Sequence, residues 1–214
     1  MWIFFSALLT GRPPGHEDDP GEAEIQRLVQ AAASGDEVAA NRLYSLFVAR
    51  VFRTVRPLCV GEAEAEDVTQ ETFVRLLSAL PRYRPREGVR FVSYLLTIAL
   101  NLARNRARRR RTLPTDPAEL GELREGEGGA RPDEGAERRQ AVERLLAAME
   151  QLSERDRQVV SLRYGAGLEA AEVAGLLGLQ TANVRKICER ARARLLEQLG
   201  LGAPGEPVEE GAPA

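Results

Sequence analysis

The chain has 214 residues, of which 43% are hydrophobic, 5% aromatic and 29% charged. This composition is typical of a globular protein rather than a disordered or membrane protein. The length fits two small domains better than one large domain. Ala, Leu, Glu and Arg dominate and β-branched runs are scarce, so the sequence predicts an all-α fold.

The net charge of −2 conceals a strong segregation of charge along the chain. Residues 82–111 contain ten Arg and one Glu, a local charge of +9. Residues 113–137 contain eight acids and two Arg, a local charge of −6. A basic block of this kind attracts phosphate even when the whole chain is slightly acidic, so a nucleic-acid ligand is not excluded.

The residues that usually carry catalysis or bind metals are scarce. Cys59 and Cys188 are far apart in sequence, and His16 is the single histidine. No disulfide framework, zinc site or cofactor is predicted, and an enzyme acting on nucleic acid is disfavoured. A reduced, cytoplasmic protein without catalytic residues is the default expectation.

The apolar segment Met1–Leu9 is too short for the ~20 residues that span a bilayer, and no positive charge precedes it as in a secretory signal. No stable membrane insertion is expected. We predict a flexible leader over residues 1–21, with a short docking or membrane-touching segment as the alternative.

Residues 22–111 are predicted to form the first domain. Ser34 and Glu37 have the spacing of a capping box, which predicts a helix start. The following apolar residues recur every four positions, and Pro57 ends the helix: Leu43, Phe47, Val51 and Val55.

The next predicted helix, Ala63–Leu80, has two faces. Its predicted buried face holds Phe73, Leu76, Leu77 and Leu80. Its polar face holds Asp67, Gln70, Glu71 and Arg75. An acidic face does not favour DNA, so it is either a solvated surface or a docking surface for a protein partner.

A loop over Arg82–Gly88 and a helix over Phe91–Arg111 complete this domain. One polar stripe along the helix contains Tyr94, Thr97, Asn101, Arg104 and Arg108. An aromatic ring, an amide and cations in one line suit the stacking of unpaired bases and phosphate contact. The alternative is a solvated helix end at Arg108–Arg111, where cations are favoured.

A flexible acidic linker is predicted over residues 112–137, a second domain over 138–200 and a disordered tail over 201–214. Ser153 is the expected N-cap of a helix in the second domain. Glu169–Leu177, a turn at Gly178 and a basic helix from Thr181 have the spacing of a helix-turn-helix. An ordinary helical hairpin with a solvated basic face is the alternative.

Three stretches together resemble regions 2 and 4 of bacterial RNA polymerase sigma factors, in particular the small extracytoplasmic-function (ECF) group. They read AEDVTQETFVRL, YLLTIALNLARNRARRRR and LSERDRQVVSLRYGAGLEAAEVAGLLGLQTANVRKICERARARL. The resemblance covers most of the predicted folded chain.

The resemblance implies a role for each surface. The face formed by Asp67, Gln70, Glu71 and Arg75 would bind the coiled coil of the polymerase's largest subunit. The loop and the following helix would open the −10 promoter element and hold the melted strand, through Arg84, Arg90, Tyr94, Thr97, Asn101, Arg104 and Arg108. The last helix would read the −35 element in duplex DNA, through Thr181, Asn183, Arg185, Lys186 and Arg190. An anti-sigma partner is common in the family, although no motif here identifies one.

Two departures from the family pattern bear on promoter choice. Tyr94 stands where many relatives have Trp, and Gln180 occupies a turn position that is more often Ser. Because Gln is a poor N-cap, Thr181 is the expected cap of the last helix. The alternative function is a stand-alone helix-turn-helix regulator that does not bind polymerase.

Overall fold

The structure is a computed structural model that describes residues 1–12, 14, 20–112 and 134–201. These residues form α-helices joined by short turns and contain no β-strand, so the predicted all-α fold is confirmed. The helices are α1 (Trp2–Thr10), α2 (Glu22–Ala33), α3 (Glu37–Val55), α4 (Gly61–Ala79), α5 (Phe91–Thr112), α6 (Glu134–Glu150), α7 (Glu154–Val160), α8 (Ala170–Leu177) and α9 (Thr181–Gln198). None of the helices in these ranges is long and apolar enough to cross a bilayer.

Helices α2 to α5 form the N-terminal domain around the apolar face of α3. The four residues predicted from their spacing to be buried are all at most 1% exposed: Leu43, Phe47, Val51 and Val55. The Phe47 and Phe91 rings lie 5.7 Å apart, which joins α3 to the start of α5. Helix α5 buries a continuous apolar face: Leu95, Leu96, Ala99, Leu102 and Ala103.

Helices α6 to α9 form the C-terminal domain. Ser153 caps α7 as predicted, since its hydroxyl accepts a hydrogen bond from the Asp156 N–H at 3.1 Å. A π-helical turn, Ser161–Gly165, follows α7. Helix α8 starts with a capping box between Glu169 and Glu172 and ends at Gly178, whose φ of 65° lies in the left-handed region. The turn between α8 and α9 therefore has the predicted glycine geometry.

The predicted flexible leader is wrong for Trp2–Thr10, which forms helix α1. Phe4 and Leu8 of this helix are completely buried, and Phe5 and Ala7 are also buried. The docking alternative describes this segment better. A nine-residue apolar run has no polar face to reveal its helical period, so the sequence could not show what covers it.

Two predicted caps are also wrong. Asp36 caps α3, because its carboxylate accepts hydrogen bonds from the Val38 and Ala39 N–H groups at 2.8 and 3.1 Å. Ser34 lies instead at the end of α2. Thr181 is the first residue of α9, and the capping position belongs to Gln180, whose side chain makes no capping hydrogen bond.

Two further expectations differ from the structure. Leu77 was predicted on the buried face of α4 but is 43% exposed. Helix α6 begins at Glu134, four residues before the predicted start of the second domain. Most of the predicted linker (113–133), most of the tail (202–214), residue 13 and residues 15–19 of the leader lie outside the described residues.

Both cysteines are free and buried. Burial raises the pKa of the Cys59 thiol to about 12, and the Glu64 carboxylate adds to this shift. Burial likewise raises the pKa of Cys188 to about 11. Both thiols therefore stay protonated at neutral pH, which makes them poor nucleophiles.

The cap of α3 generates a test of the fold. Replacing Asp36 by Ala should destabilise the protein by about 1 kcal/mol, since two N–H groups lose their acceptor. Ser34→Ala is the matched control and should change stability by less than about 0.5 kcal/mol. Urea unfolding of both variants measures these changes in stability. A larger loss of stability for Ser34→Ala than for Asp36→Ala would show that Ser34 is the cap of α3.

Candidate nucleic-acid and polymerase interface

Helix α4 presents the predicted docking face. Asp67, Gln70 and Arg75 are exposed, whereas Glu71 is half-buried. Two apolar residues that the sequence analysis did not assign to this face lie beside them, since Val74 is 64% exposed and Leu77 is 43% exposed. Their positions in the sequence could have placed them on this face, because they are helical neighbours of Gln70 at i+4 and i+7.

Arginines of α5 partly neutralise the acids of α4. The Arg106 guanidinium lies 3.2 Å from the Glu71 carboxylate and 3.7 Å from that of Asp67. Arg75 also pairs with Glu71, and Arg110 pairs with Glu64. The acidic face is therefore tied to the basic helix beside it.

These contacts set the ionisation of Glu71. Burial alone raises the pKa of a carboxyl group, but hydrogen bonds from Arg106 and Arg75 outweigh it here. The pKa of Glu71 therefore lies below its ordinary value of 4.5. Its carboxylate stays charged throughout the neutral range.

The loop before α5 brings arginines and aromatic rings together. The Tyr83 ring lies 4.7 Å from that of Tyr94 and 5.6 Å from that of Phe91. Arg84 donates a hydrogen bond to the Tyr83 carbonyl at 3.0 Å. Tyr83 was missed by the sequence analysis, although its position between Arg82 and Arg84 was a visible signal.

The N-terminus of α5 is fixed by a carboxylate from α2. Glu22 accepts a hydrogen bond from the Phe91 N–H at 2.8 Å and another from the Gln26 side chain at 2.8 Å. An acidic group at a helix N-terminus accepts a hydrogen bond from an otherwise unpaired N–H and interacts favourably with the positive end of the helix dipole. The first turn of α5, which contains Tyr94, is thereby positioned.

The predicted polar stripe of α5 lies on one face of the helix. Tyr94 is half-buried, and the other members are exposed: Thr97, Asn101, Arg104 and Arg108. The Thr97 hydroxyl donates to the Ser93 carbonyl at 2.8 Å. The sequence spacing therefore placed these residues together correctly, although it left their function open.

Two of the stripe and loop arginines contact the C-terminal domain. Arg90 forms a two-point ion pair with Glu172 of α8, with distances of 2.6 and 3.0 Å. Arg104 donates to the Gln158 side chain of α7 at 2.6 Å. A groove of about 800 Å³ lies between the loop and the N-terminal half of α5 on one side and α8 on the other. Sequence reasoning did not find these pairs, because partners 82 and 54 residues apart leave no local signal.

Helix α9 carries the residues predicted to contact duplex DNA. Four are exposed: Asn183, Arg185, Lys186 and Arg190. Thr181 is half-buried at the first position of the helix. Arg192 turns away from this set, because its guanidinium donates to the Leu8 and Leu9 carbonyls of α1.

Within the described residues, no group of three or more His, Cys, Asp or Glu side chains could hold a metal ion. The surfaces offer cations, aromatic rings, an amide and an acidic helix face. This chemistry suits binding to nucleic acid and to a protein.

Comparison with known proteins defines the class to which the chain belongs. Residues 43–112 match the family model for Sigma-70 region 2, and residues 142–195 match that for Sigma-70, region 4. The chain is 31% identical over 182 residues to the ECF RNA polymerase sigma factor BldN of Streptomyces coelicolor, covering 83% of this chain and 68% of the relative. It is also 31% identical over 190 residues to the ECF sigma factor SigD of Mycobacterium tuberculosis, covering 82% and 84%.

Solved structures agree with this class. The structure of CnrH in complex with the cytosolic domain of CnrY has a TM-score of 0.58 at 26% identity and covers 82% of this chain and 97% of that chain. The sigma factor RpoE of Bartonella quintana, in complex with the anti-sigma factor NepR, has a TM-score of 0.61 at 19% identity, which shows the shared fold. It covers 76% of this chain and 98% of that chain.

The chain belongs to the ECF family of RNA polymerase sigma factors. The resemblance found in the sequence is thereby confirmed, and the stand-alone regulator is not favoured. As a sigma factor, the protein has core RNA polymerase and promoter DNA as its partners.

The lowered pKa of Glu71 makes a pH-dependent prediction. A depressed pKa stabilises the fold above the unfolded-state pKa, and this contribution is lost as pH falls through the folded-state value. Glu71→Gln should therefore lower stability at pH 7 by less than about 1 kcal/mol, and this difference should become smaller on acidification to about pH 3, below the ordinary carboxyl pKa of 4.5.

Urea unfolding at the two pH values measures this difference. Glu66→Gln removes the same charge from an exposed position on α4 and is the matched control. An equal and pH-independent effect of Glu71→Gln at pH 7 and pH 3 would contradict the role of the Arg106 and Arg75 contacts.

Proposed function

We propose that this sigma factor divides its work among three surfaces. The exposed face of α4 binds core polymerase, the loop 83–90 and the stripe of α5 hold the melted −10 strand, and α9 reads the −35 element in duplex DNA. The observation that carries this proposal is the side-by-side placement of an acidic helix face and an aromatic, arginine-rich stripe. A stand-alone duplex reader needs neither.

The α4 face has the composition of a protein-binding surface. It combines the charges of Asp67 and Arg75 with exposed Val74 and Leu77. Charged groups steer association and set register, while the apolar side chains supply area removed from water. The Arg106 contacts orient the Asp67 and Glu71 carboxylates, so part of the charge pattern of this face is set before polymerase binds.

The aromatic cluster is suited to a base taken out of the DNA stack. Tyr94 is half-buried beside Tyr83, with arginines on the adjoining loop and helix. Base–aromatic stacking contributes about 1–3 kcal/mol per base, which offsets the few kcal/mol that unstacking a base costs. Binding energy from polymerase and from the −35 contacts supplies the remainder.

Helix α9 follows the glycine turn of a helix-turn-helix, and its exposed N-terminal half carries an amide and cations. Recognition helices of this motif enter the major groove with their N-terminal residues at base edges. Asn183 is suited to a base edge, whereas Arg185 and Lys186 are suited to phosphates or guanine.

The protein acts by binding, without a catalytic residue of its own, in the cytoplasm where polymerase works. CnrH, to which the chain is similar over most of its length, was solved with the cytosolic domain of another protein. We infer that this chain also has a protein partner, and we propose that this partner is inhibitory, which would make the factor available only on a signal.

Gel filtration with bacterial core RNA polymerase tests the polymerase surface. The wild-type chain should co-elute with core enzyme and give promoter-dependent transcripts from its own genome's fragments. Asp67→Lys combined with Val74→Asp should abolish co-elution, because the charge and the apolar contact are both reversed. Duplex binding by the variant should remain.

Glu62→Lys is the matched control, since this exposed residue is turned by about 140° from Asp67 on the same helix. Full co-elution of the double variant would remove the α4 face from the proposal. Wild-type protein that binds duplex DNA but never co-elutes would support the stand-alone regulator.

Salt dependence tests the −35 surface. Replacing Arg185 and Lys186 by Ala should weaken duplex binding and reduce the slope of log K against log salt by about 0.9 for each lost phosphate contact. Arg194→Ala, an exposed cation on the same helix, is the matched control. An unchanged slope in the double variant would place the phosphate contacts elsewhere.

A further inference from the structure

Helix α1 packs against the C-terminal domain at the point where that domain meets α3. Phe4 and Leu8 are completely buried, whereas Ile3 on the same helix is 51% exposed. A Cβ atom added at Gly165 of the π-helical turn would lie 3.0 Å from the Phe4 ring and 3.0 Å from the Arg53 carbonyl oxygen. Helix α1, helix α3 and the π-helical turn therefore meet at one glycine, where a side chain would not fit without movement.

The C-terminus of α1 is held by a side chain of the DNA-reading helix. Arg192 of α9 donates from Nε to the Leu8 carbonyl at 2.8 Å and from Nη2 to the Leu9 carbonyl at 2.6 Å. The last carbonyls of a helix lack partners within the helix and carry negative partial charge. The Leu8 carbonyl also accepts a hydrogen bond from the Gly11 N–H at 3.3 Å, whereas the guanidinium supplies a donor to the Leu9 carbonyl and a positive charge at this helix end. Arg192 therefore anchors the C-terminus of α1 to α9.

The two domains contact each other directly in this structure, an arrangement that we call closed. Arg90 and Arg104, two residues assigned to the −10 element, are paired with Glu172 and Gln158 of the other domain. The −10 and −35 promoter elements are centred about 25 base pairs apart, which corresponds to on the order of 80 Å of duplex. Two small domains in direct contact do not span that distance, so promoter binding requires them to separate.

We propose that α1 is an intramolecular latch that holds the two domains closed and withholds Arg90 and Arg104 from DNA. Its seat consists of the π-helical turn, α6 and Arg192 of the C-terminal domain, and at Gly165 this seat adjoins the Arg53 carbonyl of α3 in the N-terminal domain. Apparent affinity falls with the fraction of molecules in the binding-competent form, so release of the latch raises affinity without adding a DNA contact. This inference rests on the proposed −10 surface for its functional consequence.

The latch is tested by removing its buried side chains from the 214-residue chain. Phe4→Ser with Leu8→Ser should increase the radius of gyration measured by X-ray scattering. The same variant should bind a labelled fork duplex with a single-stranded arm at least about threefold more tightly than wild type. Ile3→Ser is the matched control on the exposed side of α1 and should change neither quantity.

A second variant opens the interface from the opposite side without altering α1. Gly165→Ala places a methyl group against both Phe4 and the Arg53 carbonyl, whereas Gly135→Ala meets nothing within 4 Å and serves as its control. Far-UV circular dichroism confirms that each variant remains helical. If one variant fails to fold, the other still decides the question.

Unchanged scattering and unchanged fork affinity in a folded latch variant would overturn the proposal. Opening without tighter binding would overturn the claim that closure withholds the arginines. The assignment of the three binding surfaces is tested separately. It is wrong if neither the wild type nor the opened variants give promoter-dependent transcription with core enzyme. The scattering result does not depend on that outcome.

Discussion

The burial of the first half of α5 determines where the functional surfaces lie. Phe91, Leu95, Leu96 and Ala99 are completely buried against the other helices of the N-terminal domain. A helix that commits one face to the core must present the opposite face outward, and in α5 that face carries Thr97, Asn101 and Arg104. Glu22 fixes the axial position by capping the Phe91 N–H. The same packing that stabilises the domain therefore aims the polar stripe, which explains why binding residues need no separate scaffold.

Ion pairs between α4 and α5 have a different role. Exposed pairs contribute about 0–1 kcal/mol each, so they do not hold the domain together. Their effect is to choose which charges face a partner: Arg106 is directed toward Asp67 and Glu71, while Gln70 and Arg75 stay at the surface. A helix face that would otherwise repel nearby DNA is partly neutralised, and an acidic docking surface can lie beside a basic one.

Local periodicity predicted much of the fold, because the spacing of apolar residues in an amphipathic helix indicates both that the segment is helical and which face is buried. The spacing of Leu43, Phe47, Val51 and Val55 identified the core of α3, and Gly178 identified the turn before α9. The misses have physical causes. Ser34 and Asp36 both offer a capping oxygen within three residues, and the direction of the chain between α2 and α3 decides which one is used. The uniformly apolar α1 and the contacts of Arg90 with Glu172 depend on the tertiary arrangement, which no local pattern encodes.

The contacts between the domains differ in strength in a way that bears on control. The Arg90–Glu172 pair is part-exposed, with 41% and 25% of the side chains accessible, and such a pair exchanges for a phosphate with little loss. Complete burial of an apolar side chain contributes about 1.5–3 kcal/mol, and α1 buries both Phe4 and Leu8. The burial of α1 therefore contributes more free energy than the ion pair, and it does so at the junction of α1, α3 and the π-helical turn. A switch built in this way responds to whatever removes α1 from its seat, while the polar pairs are free to change partners once the domains have separated.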